Sequence, residues 1–427
     1  MSLQEVRVAV LGAGTVGSQV IRLLGERAED FAQRSGARLV ITGIGDRKPA
    51  SEQPPFIDTS LLTDDLAALA TSADLVIELI GGIEPARTLV LAALDSGASV
   101  VTANKALLAT HGPELLEAAA RSGADLYYEA AVAGAVPVVY ALRESLAGDT
   151  VTRVLGIVNG TTNFILDEMA TKGLSFDEAL ATAQELGYAE ANPTADVDGL
   201  DAAAKAALLA SLAFHTRVSL GDVSVEGIRA ITAADIAQAA ADGYALKLLA
   251  ICDRVGADGV CVRVHPTLLP LSHPLAAIHG PFNAVVVEAE AAGRLMFYGR
   301  GAGGAPAASA VLGDVVAAAA HRVHGGNAPR ESAYANLRVL GPDEVRTAQS
   351  IRLRVVDEVG VLAAVAGIFA EGGISFESVR QVPSEHDATI SIVTHVARAG
   401  DLARTVEALR ANPAVREIIS VTAVEAD

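Results

Sequence analysis

The chain has 427 residues, enough for two or three domains. Its 51 acidic and 32 basic residues give a net charge of −19, which disfavours nucleic acid and anionic membranes as partners. Hydrophobic residues make up 51% of the chain, and its two cysteines cannot form a disulfide framework. Because no signal-type segment and no membrane-length apolar run is present in the sequence, we expect a cytoplasmic protein without membrane association.

A glycine-rich turn follows the first predicted strand. Val6–Leu11 is an apolar run typical of a buried parallel strand, and a helical pattern begins after the turn. Glycines in this context allow a tight turn and let a pyrophosphate approach the helix N-terminus. The order therefore predicts a nicotinamide dinucleotide site, with a simple tight turn as the alternative. The predicted contacts are Gly12, Ala13, Gly14, Thr15, Val16 and Gly17.

The residues after the second predicted strand bear on the choice of cofactor. Leu39–Ile44 is followed by Asp46, Arg47 and Lys48. An acid at this position binds a ribose hydroxyl, whereas an arginine accepts a 2′-phosphate. Arg47 and Lys48 favour NADP, and Asp46 leaves NAD open.

Two further features occur where predicted strands of this domain end. Lys105 follows Ser99–Thr102 at the carboxyl edge of the sheet, where open α/β folds bind ligands, although a solvated loop lysine is the alternative. Glu129 precedes a loop of small residues, 132–137, whose carbonyl oxygens would suit a hard cation. A plain turn between domains is the alternative there.

An acidic segment precedes a second lysine. Glu190, Asp196, Asp198 and Asp201 lead into Lys205, and Asp201 and Lys205 lie four residues apart at the start of an alanine-rich helix. Residues at this spacing share one helical face. Carboxylates and an amine in this arrangement would hold a small zwitterion such as an amino acid; the alternative is a solvated loop beside an ordinary ion pair.

Other segments of the second half carry weaker signals. The turn 159–163 (NGTTN) opens a helix and offers amides and hydroxyls to a carboxylate or a cofactor amide. A helix is predicted around 244–249. A second glycine loop, 298–306, precedes an alanine-rich helix and would either close over the cofactor or allow close packing. After a polar linker, the last residues have the β-α-β-β-α-β order of a ferredoxin-like module.

In their order along the chain, these motifs resemble those of homoserine dehydrogenases. The resemblance covers essentially the whole chain through GAGTVG, TANKALL, YYEAAVAGAVPVV, NGTTNFIL, GYAEANPTADVDGLDAAAK and GAGGAPAASAVLGD. The tail resembles an ACT domain, a module that usually binds amino acids as a regulator. The family interconverts L-homoserine and L-aspartate 4-semialdehyde with NAD(P)(H), on the route to threonine and methionine.

The resemblance implies roles for individual residues. Lys205 would be the acid/base group and Lys105 a second catalytic amine that also contacts the cofactor. Substrate would be bound by Glu190, Asp196, Asp201, Tyr188, Gly160 and Thr161. Further cofactor contacts would be Arg47, Gly301 and Gly303, although Arg300 and Gly304 depart from related sequences. A sodium ion would be bound by Glu129, Val132, Gly134 and Val136, and a regulatory ligand by the turn containing Asp357 and Gly360.

We therefore predict an α/β protein with an N-terminal Rossmann-type parallel sheet, an α+β substrate and dimerisation domain and a C-terminal ferredoxin-like ACT domain. The expected domains are 1–130, 131–323 with its last helix packed back on the Rossmann domain, a linker at 324–348, and 349–427. The resemblance also implies a homodimer or homotetramer. From the ACT-like pattern of the tail we hypothesise inhibition by threonine, with another effector as the alternative.

Three alternatives remain in view. A phosphorylating semialdehyde dehydrogenase needs a thiol nucleophile, and the apolar surroundings of Cys252 and Cys261 disfavour that role. A different amino-acid dehydrogenase would use the same scaffold. A non-catalytic sensor of nucleotide and amino acid has no need of the paired amines Lys105 and Lys205.

Overall fold

The chain divides into two compact units. A computed structural model describes residues 3–383 and 387–425. The first unit comprises Met1–Val154, Ala204–Gly221 and Phe282–Asn336. The second comprises Leu155–Ala203, Asp222–Pro281 and Leu337–Asp427. Each unit therefore combines segments that are far apart in the sequence.

The regular elements alternate between strands and helices along most of the chain. The N-terminal elements are β1 (Gln4–Leu11), α1 (Thr15–Glu26), α2 (Ala28–Ser35), β2 (Ala37–Gly45), β3 (Leu62–Thr63), α3 (Leu66–Ser72), β4 (Leu75–Glu78), α4 (Ala86–Asp95), β5 (Ser99–Thr102), α5 (Lys105–Ser122), β6 (Leu126–Tyr127), α6 (Val138–Tyr140) and β7 (Val151–Ile157). The central elements are α7 (Gly160–Lys172), α8 (Phe176–Glu185), α9 (Thr194–Val197), α10 (Leu200–Ala213), β8 (Ser224–Val225), α11 (Ala233–Ala241), β9 (Tyr244–Val255), β10 (Gly259–Pro270), β11 (Phe282–Ala289), β12 (Gly293–Arg300) and α12 (Gly304–His324). The C-terminal elements are β13 (Arg338–Val339), β14 (Arg346–Val356), α13 (Val361–Glu371), β15 (Phe376–Pro383), β16 (Asp387–Thr394), β17 (Ala397–Arg398), α14 (Ala399–Ala411) and β18 (Val415–Val424).

The first unit contains a parallel sheet with the strand order β3-β2-β1-β4-β5-β6. Parallel pairs join β1 to β2 on one side and to β4 on the other. Val8, Ala9, Val10 and Leu11 are all buried, which explains why β1 is a continuous apolar run without alternation. This sheet confirms the predicted Rossmann-type fold. The change of direction beside β1 opens a crevice at the carboxyl ends of the strands, where such folds bind nucleotides.

Helix α12 packs against the first helices of the same unit. The buried residues of α12 and of α1 belong to one hydrophobic core, which also contains residues of β1 and β4. The contributing side chains include Ala308, Val311, Leu312 and Val315 from α12 and Val20, Ile21 and Leu24 from α1. Because alanine is small, the helix lies close to its neighbours.

The predicted helix around 244–249 is wrong, because this segment belongs to the long strand β9. Residues 244–255 pair antiparallel with β10, from Tyr244 opposite Pro270 to Val255 opposite Gly259. An apolar run that is buried on both faces has no periodicity that separates a strand from a helix. The neighbouring helix is α11, whose start is marked by a capping box between Thr232 and Asp235.

The C-terminal elements confirm the predicted ferredoxin-like order. Strand β14 pairs antiparallel with both β16 and β18, and β15 pairs with β16. Helices α13 and α14 share a core with the inward faces of these strands, through residues such as Leu353, Val365, Ile390 and Leu402. In the part of the chain that the structure describes, no helix has both the length and the apolarity that crossing a membrane requires.

Candidate active site

The glycine-rich turn between β1 and α1 has a separate physical reason for each glycine. Gly12 has a φ of +104°, and a Cβ there would lie 2.7 Å from the carbonyl oxygen of Leu79. A Cβ on Gly17 would lie 1.9 Å from the carbonyl oxygen of Gly12. Gly14 has an ordinary φ of −68°, and a Cβ there would have nothing within 4 Å, so its backbone stays open to a ligand. The turn therefore has the shape that a pyrophosphate requires.

The N-terminus of α1 is suited to an anion. No side chain caps the helix at Gly14, and its first turn, which begins with Thr15 and Val16, contains no acidic residue. The unpaired N–H groups and the helix dipole at such an end favour a phosphate. Ala13 N–H donates instead to Asp46 Oδ2 at 2.7 Å, which fixes the turn from the side of β2.

A cleft of about 780 Å³ opens beside this turn. Its lining includes Gly12 and Gly14, the segment from Gly45 to Pro49, and Leu79 to Gly81. The Asp46 carboxylate also accepts the backbone N–H of Lys48 at 2.8 Å. Arg47 is exposed in the lining. A cleft of this volume and position fits the nucleotide part of a dinucleotide.

Glu78 organises the opposite wall of the crevice, and sequence reasoning missed it. Its buried carboxylate accepts N–H groups of Ile80 (2.9 Å) and Gly81 (3.1 Å) and the hydroxyl of Thr102 (2.6 Å). The Thr102 oxygen in turn accepts the N–H of Asn104 at 3.0 Å. The available signal was an acid inside the apolar strand DLVIELI, just before two glycines.

Lys105 is the first residue of α5 and is exposed. Asn104 caps this helix by accepting the N–H of Leu107 at 3.1 Å, while its amide donates to the carbonyl oxygen of Gly82 at 2.7 Å. The position of Lys105 beside the crevice therefore depends on hydrogen bonds that lead back to Glu78.

The second glycine loop lies beside the first. Gly303 has a φ of +116° and forms the N-cap of α12. A Cβ on Gly304 would lie 2.7 Å from the carbonyl oxygen of Thr15, so the starts of α12 and α1 are in close contact. Gly301 lies against the turn at Gly134, where a Cβ would come within 2.3 Å of the Gly301 carbonyl oxygen. The loop that contains Gly301 and Gly303 therefore leads into a helix start that contacts the start of α1.

In the second unit, the side chain of Asn159 joins the predicted acidic residues. Its amide donates to Asp196 Oδ1 at 2.6 Å and to Asp201 Oδ2 at 2.9 Å. Its oxygen caps α7 by accepting the N–H of Thr162 at 2.8 Å. Two carboxylates from distant positions therefore meet at the start of one helix. The sequence marked the NGTTN turn but not this function of Asn159.

Three of the other predicted substrate residues, Gly160, Thr161 and Tyr188, lie at or contact the first turns of α7. The Thr161 hydroxyl donates to the carbonyl oxygen of Tyr188 at 2.7 Å, and the Tyr188 ring packs on Phe164 with centroids 4.9 Å apart. Gly160 is the first residue of the helix. Glu190 is exposed, and its carbonyl oxygen accepts the side-chain amide of Gln184.

Asp201 and Lys205 lie one turn apart on α10, and both are buried, each with 7% of its surface exposed. A buried lysine needs polar or charged partners that replace the water it loses on folding. Asp198 is different: it forms a partly exposed ion pair with Arg229. Asp198 is therefore paired away from the buried Asp201 and Lys205.

Comparisons with known proteins indicate the same family from the N-terminal to the C-terminal part of the chain. Family models match at 12–129 (homoserine dehydrogenase, NAD binding domain), 137–316 (homoserine dehydrogenase) and 349–414 (ACT domain). The homoserine dehydrogenase of Corynebacterium glutamicum is 55% identical, over 99% of this chain and 96% of its own. The chain belongs to the homoserine dehydrogenase family. It is accordingly an oxidoreductase that uses a nicotinamide cofactor.

Solved structures of the homoserine dehydrogenase family have the same fold. The enzyme from Thiobacillus denitrificans has a TM-score of 0.93 and 37% identity, over 99% of this chain and 98% of its own. A hyperthermophilic archaeal homoserine dehydrogenase in complex with NADPH has a TM-score of 0.64 and 26% identity, over 74% of this chain and 98% of its own.

The predicted sodium turn is buried and tightly bent. Glu129 oxygens accept the N–H groups of Val139 (2.9 Å) and Tyr140 (2.8 Å). Gly134 has a φ of +62°. Val132, Gly134 and Val136 are all buried. Within the described chain, no hydrogen bond is made to the carbonyl oxygens of Val132 and Gly134. Within the same residues, no group of three or more His, Cys, Asp or Glu side chains has a metal-binding arrangement.

A second buried acid supports this turn from α12. Asp314 is 1% exposed and accepts the N–H of Glu129 at 2.9 Å. Burial, together with the nearby Glu129 carboxylate, raises the pKa of Asp314 to about 8. Burial also raises the pKa of Glu129, while the N–H groups of Tyr140 and Val139 oppose that rise. Asp314 is therefore mostly protonated at neutral pH.

The predicted regulatory turn lies at the surface of the ACT domain. Asp357 and Gly360 are exposed in the ACT domain, where Gly360 has a φ of +94° and is the N-cap of α13, without a side-chain cap.

The two cysteines bear on the thiol-dependent alternative. Cys252 and Cys261 are buried, and burial raises the pKa of Cys261 to about 11. A thiol of this kind is a poor nucleophile at neutral pH, which argues against a thiol-dependent semialdehyde dehydrogenase.

Proposed function

We propose that the enzyme interconverts L-homoserine and L-aspartate 4-semialdehyde, with Lys205 as the acid/base group and Lys105 as a second amine. The observation that carries the proposal is the meeting of Asp196 and Asp201 at the Asn159 amide. Two carboxylates on one amide form an anionic corner suited to an ammonium group. L-homoserine has such a group on C2, two carbons from the C4 alcohol that is oxidised.

Substrate binding would use the start of α7 as well as the acids. The N–H groups of Gly160 and Thr161 belong to the first turn, where a helix leaves its amides unpaired. These amides would bind the substrate carboxylate. The ammonium group would then be bound by Asp196 and Asp201, with Glu190 and Tyr188 at the exposed rim of the site.

Lys205 would transfer the proton, and Lys105 would stabilise the negative charge on the substrate oxygen. When bound, a nicotinamide would supply the hydride in reduction and accept it in oxidation. During reduction, the Lys205 ammonium donates a proton to the carbonyl oxygen as negative charge develops there, and in oxidation the neutral amine accepts it. Lys105 adds positive charge that stabilises the developing alkoxide. Both steps need the amines to lie beside the C4 oxygen of the substrate.

NADP is the proposed cofactor, because the Asp46 carboxylate already accepts hydrogen bonds from the protein backbone. Its carboxylate accepts N–H groups from Ala13 and Lys48, which reduces its value as a partner for ribose hydroxyls. Arg47 and Lys48 line the same cleft and are exposed, as a 2′-phosphate requires.

We also propose a sodium ion at the turn of Glu129, Val132, Gly134 and Val136. Buried carbonyl oxygens without donors are costly unless another partner is present, and a hard cation supplies one. The ion would hold the turn against Gly301 and the second glycine loop.

The regulatory and cellular assignments follow the family. We propose feedback inhibition by threonine through the turn of Asp357 and Gly360, in a homodimer or homotetramer that works in the cytoplasm on the route to threonine and methionine. The exposed, uncapped start of α13 offers N–H groups to an amino-acid carboxylate.

The assignment of Lys205 is tested by NADP-dependent oxidation of L-homoserine. We expect Lys205→Ala to lower kcat by ~10²-fold or more, the scale of lost general acid–base catalysis. Binding of NADPH, measured by fluorescence titration, should stay close to wild type. Lys172→Ala is the matched control, since Lys172 is a surface lysine paired with Glu168. Unchanged turnover in Lys205→Ala would refute the assignment, and an inactive wild-type enzyme would favour the sensor.

A further inference from the structure

A second cavity lies in the second unit, formed by α7, α11, β9 and the turn Pro274–Ala277. Its volume is about 350 Å³, near the lower end of the roughly 300–1,000 Å³ that small-molecule sites occupy. The inner wall consists of the buried side chains of Leu166, Ile236, Leu246, Lys247 and Ala276. The rim consists of Ala170, Ala240, Leu271, Ala277 and His279, which are exposed. We call this cavity the Lys247 pocket.

Lys247 is the unusual member of this apolar wall. Only 4% of its surface is exposed. Its ammonium donates to the carbonyl oxygen of Ile278 at 2.6 Å and to Asn163 Oδ1 at 3.1 Å, and both acceptors are neutral. An ammonium has three N–H donors, so these bonds use two of them. Among the described residues, no carboxylate lies within ion-pair distance of the Lys247 ammonium. Burial lowers the pKa of Lys247 to about 8, and the charge of Asp167, which also lines the pocket, opposes that shift. A buried cation without a direct ion pair is costly.

The fold does not need this lysine to hold the neighbouring loop. Asn163 already donates to the carbonyl oxygens of Ile278 (3.3 Å) and Gly280 (2.8 Å). Asp167, one turn further along α7, accepts the N–H of Gly280 at 2.8 Å and contacts the His279 ring nitrogen at 2.7 Å. The loop is thus fastened to α7 four times without Lys247. These four contacts do not involve Lys247, so they do not explain why a charged side chain is buried here.

We propose that the Lys247 pocket binds a small aliphatic carboxylate. The carboxylate would accept from the Lys247 ammonium, and the aliphatic part would pack on Leu166, Ile236 and Leu246. Such a ligand would give the buried ammonium a direct anionic partner and would fill the apolar volume. The pocket differs from the proposed substrate site, whose carboxylates recognise an amine at the start of α7.

Two classes of ligand have an aliphatic body and a carboxylate: α-amino acids and simple carboxylic acids. An α-amino acid would place its ammonium group toward Asp167 and the hydroxyls of Thr171 and Tyr244, which also line the pocket. A carboxylic acid without an amino group would use the lysine and the apolar wall alone. L-valine and 3-methylbutanoate have the same branched body and distinguish these classes.

Ligand-observed NMR of the full-length protein with each probe tests the proposal. We expect saturable binding of at least one probe, with affinity lowered about tenfold or more by Lys247→Met, the loss of a charged hydrogen-bond partner. Lys172→Met is the matched control on α7 and should bind as wild type does, because Lys172 is exposed and paired with Glu168. Binding of valine alone would identify an amino-acid site, and binding of both probes a general carboxylate site.

A second variant separates loss of the site from loss of the fold. Ala240 is exposed at the rim, so Ala240→Phe should leave folding unchanged while its ring occupies the pocket entrance. We expect this variant to lose probe binding with its circular dichroism and thermal midpoint unchanged. Binding that survives both Lys247→Met and Ala240→Phe would overturn the proposal. So would the absence of saturable binding of either probe, as expected if a second copy of the chain covers the pocket.

Discussion

Asn159 connects three parts of the second unit through one side chain. Its amide holds Asp196 and Asp201, and its oxygen caps α7. The acidic residues were predictable from their density and from the lysine that follows them. Their meeting at Asn159 was not, because it depends on tertiary distances across 37 and 42 positions of sequence. Glu78 was missed for a related reason: a buried acid in a strand is explained only by the N–H groups around it.

Asp314 provides a test of electrostatics at the residue scale. Its pKa rises from an ordinary 3.8 to about 8, so the folded state keeps a proton that the unfolded chain releases. Its stabilising contribution is full below about pH 4 and is lost as pH rises to about 8, with a slope of at most about 1.4 kcal/mol per pH unit. Asp314→Asn keeps an acceptor for Glu129 N–H but cannot ionise.

We therefore expect Asp314→Asn to gain stability relative to wild type as pH rises from 5 to about 8, the pKa of Asp314. Thermal unfolding at several pH values measures the difference. Asp198→Asn, at a partly exposed ion pair, is the control and should show no such gain. A constant difference between Asp314→Asn and wild type across this range would contradict the assigned pKa.

At the scale of elements, the glycines of the turn between β1 and α1 have different roles. Gly17 is required by the fold, and Gly14 by the proposed ligand. A Cβ on Gly17 would overlap the Gly12 carbonyl oxygen at 1.9 Å, whereas Gly14 has open space. Gly17→Ala should lower the thermal midpoint markedly, because backbone must move. Gly14→Ala should unfold as wild type does but raise KM for NADP by about tenfold or more, since the methyl group would occupy the pyrophosphate position. Equal effects of the two substitutions on stability and KM would contradict this division of roles.

Periodicity predicted some elements well and failed at β9. The strands and helices of the Rossmann-type sheet were predictable because short apolar runs alternate with turn residues and helical patterns. Apart from Lys247, the segment at 244–249 is an apolar run without clear periodicity, and only pairing with β10 determines that it is a strand. The missed helix α11 matters because it carries Asp235 and is followed by Asp242, and these acids pair with Arg352 (3.1 Å) and Arg380 (3.1 Å) of the ACT domain.

Those two ion pairs offer a route from the ACT domain to the rest of the second unit. If threonine acts there as proposed, Arg352→Gln combined with Arg380→Gln should raise the threonine concentration for half-inhibition about tenfold. A coupling free energy of this size is typical of allostery. Arg354→Gln is the control, because Arg354 lies on the same strand as Arg352 but pairs with Glu417 within the tail. Wild-type inhibition in the double variant would contradict the route, and a threonine-insensitive wild type would refute the effector.

At the scale of the whole molecule, the order of motifs carried more information than any single motif. GxGxxG, the two lysines, the acidic segment and the ferredoxin-like tail each have ordinary structural explanations. Their succession along 427 residues is what indicated the family, and the matches over 99% of the chain established it. Hydrogen-bond networks and the Lys247 pocket could not be predicted in this way, because they arise only where distant segments pack.

The central claim is that the anionic corner at Asn159 selects a substrate that has an amino group. The most direct measurement compares kcat/KM for NADP reduction with L-homoserine and with 4-hydroxybutyrate, which lacks only that group. Buried polar groups left without their partner strongly disfavour such an analogue, so we expect a loss of ~10²-fold or more. Similar kcat/KM values for the two alcohols, or no oxidation of L-homoserine, would contradict the account.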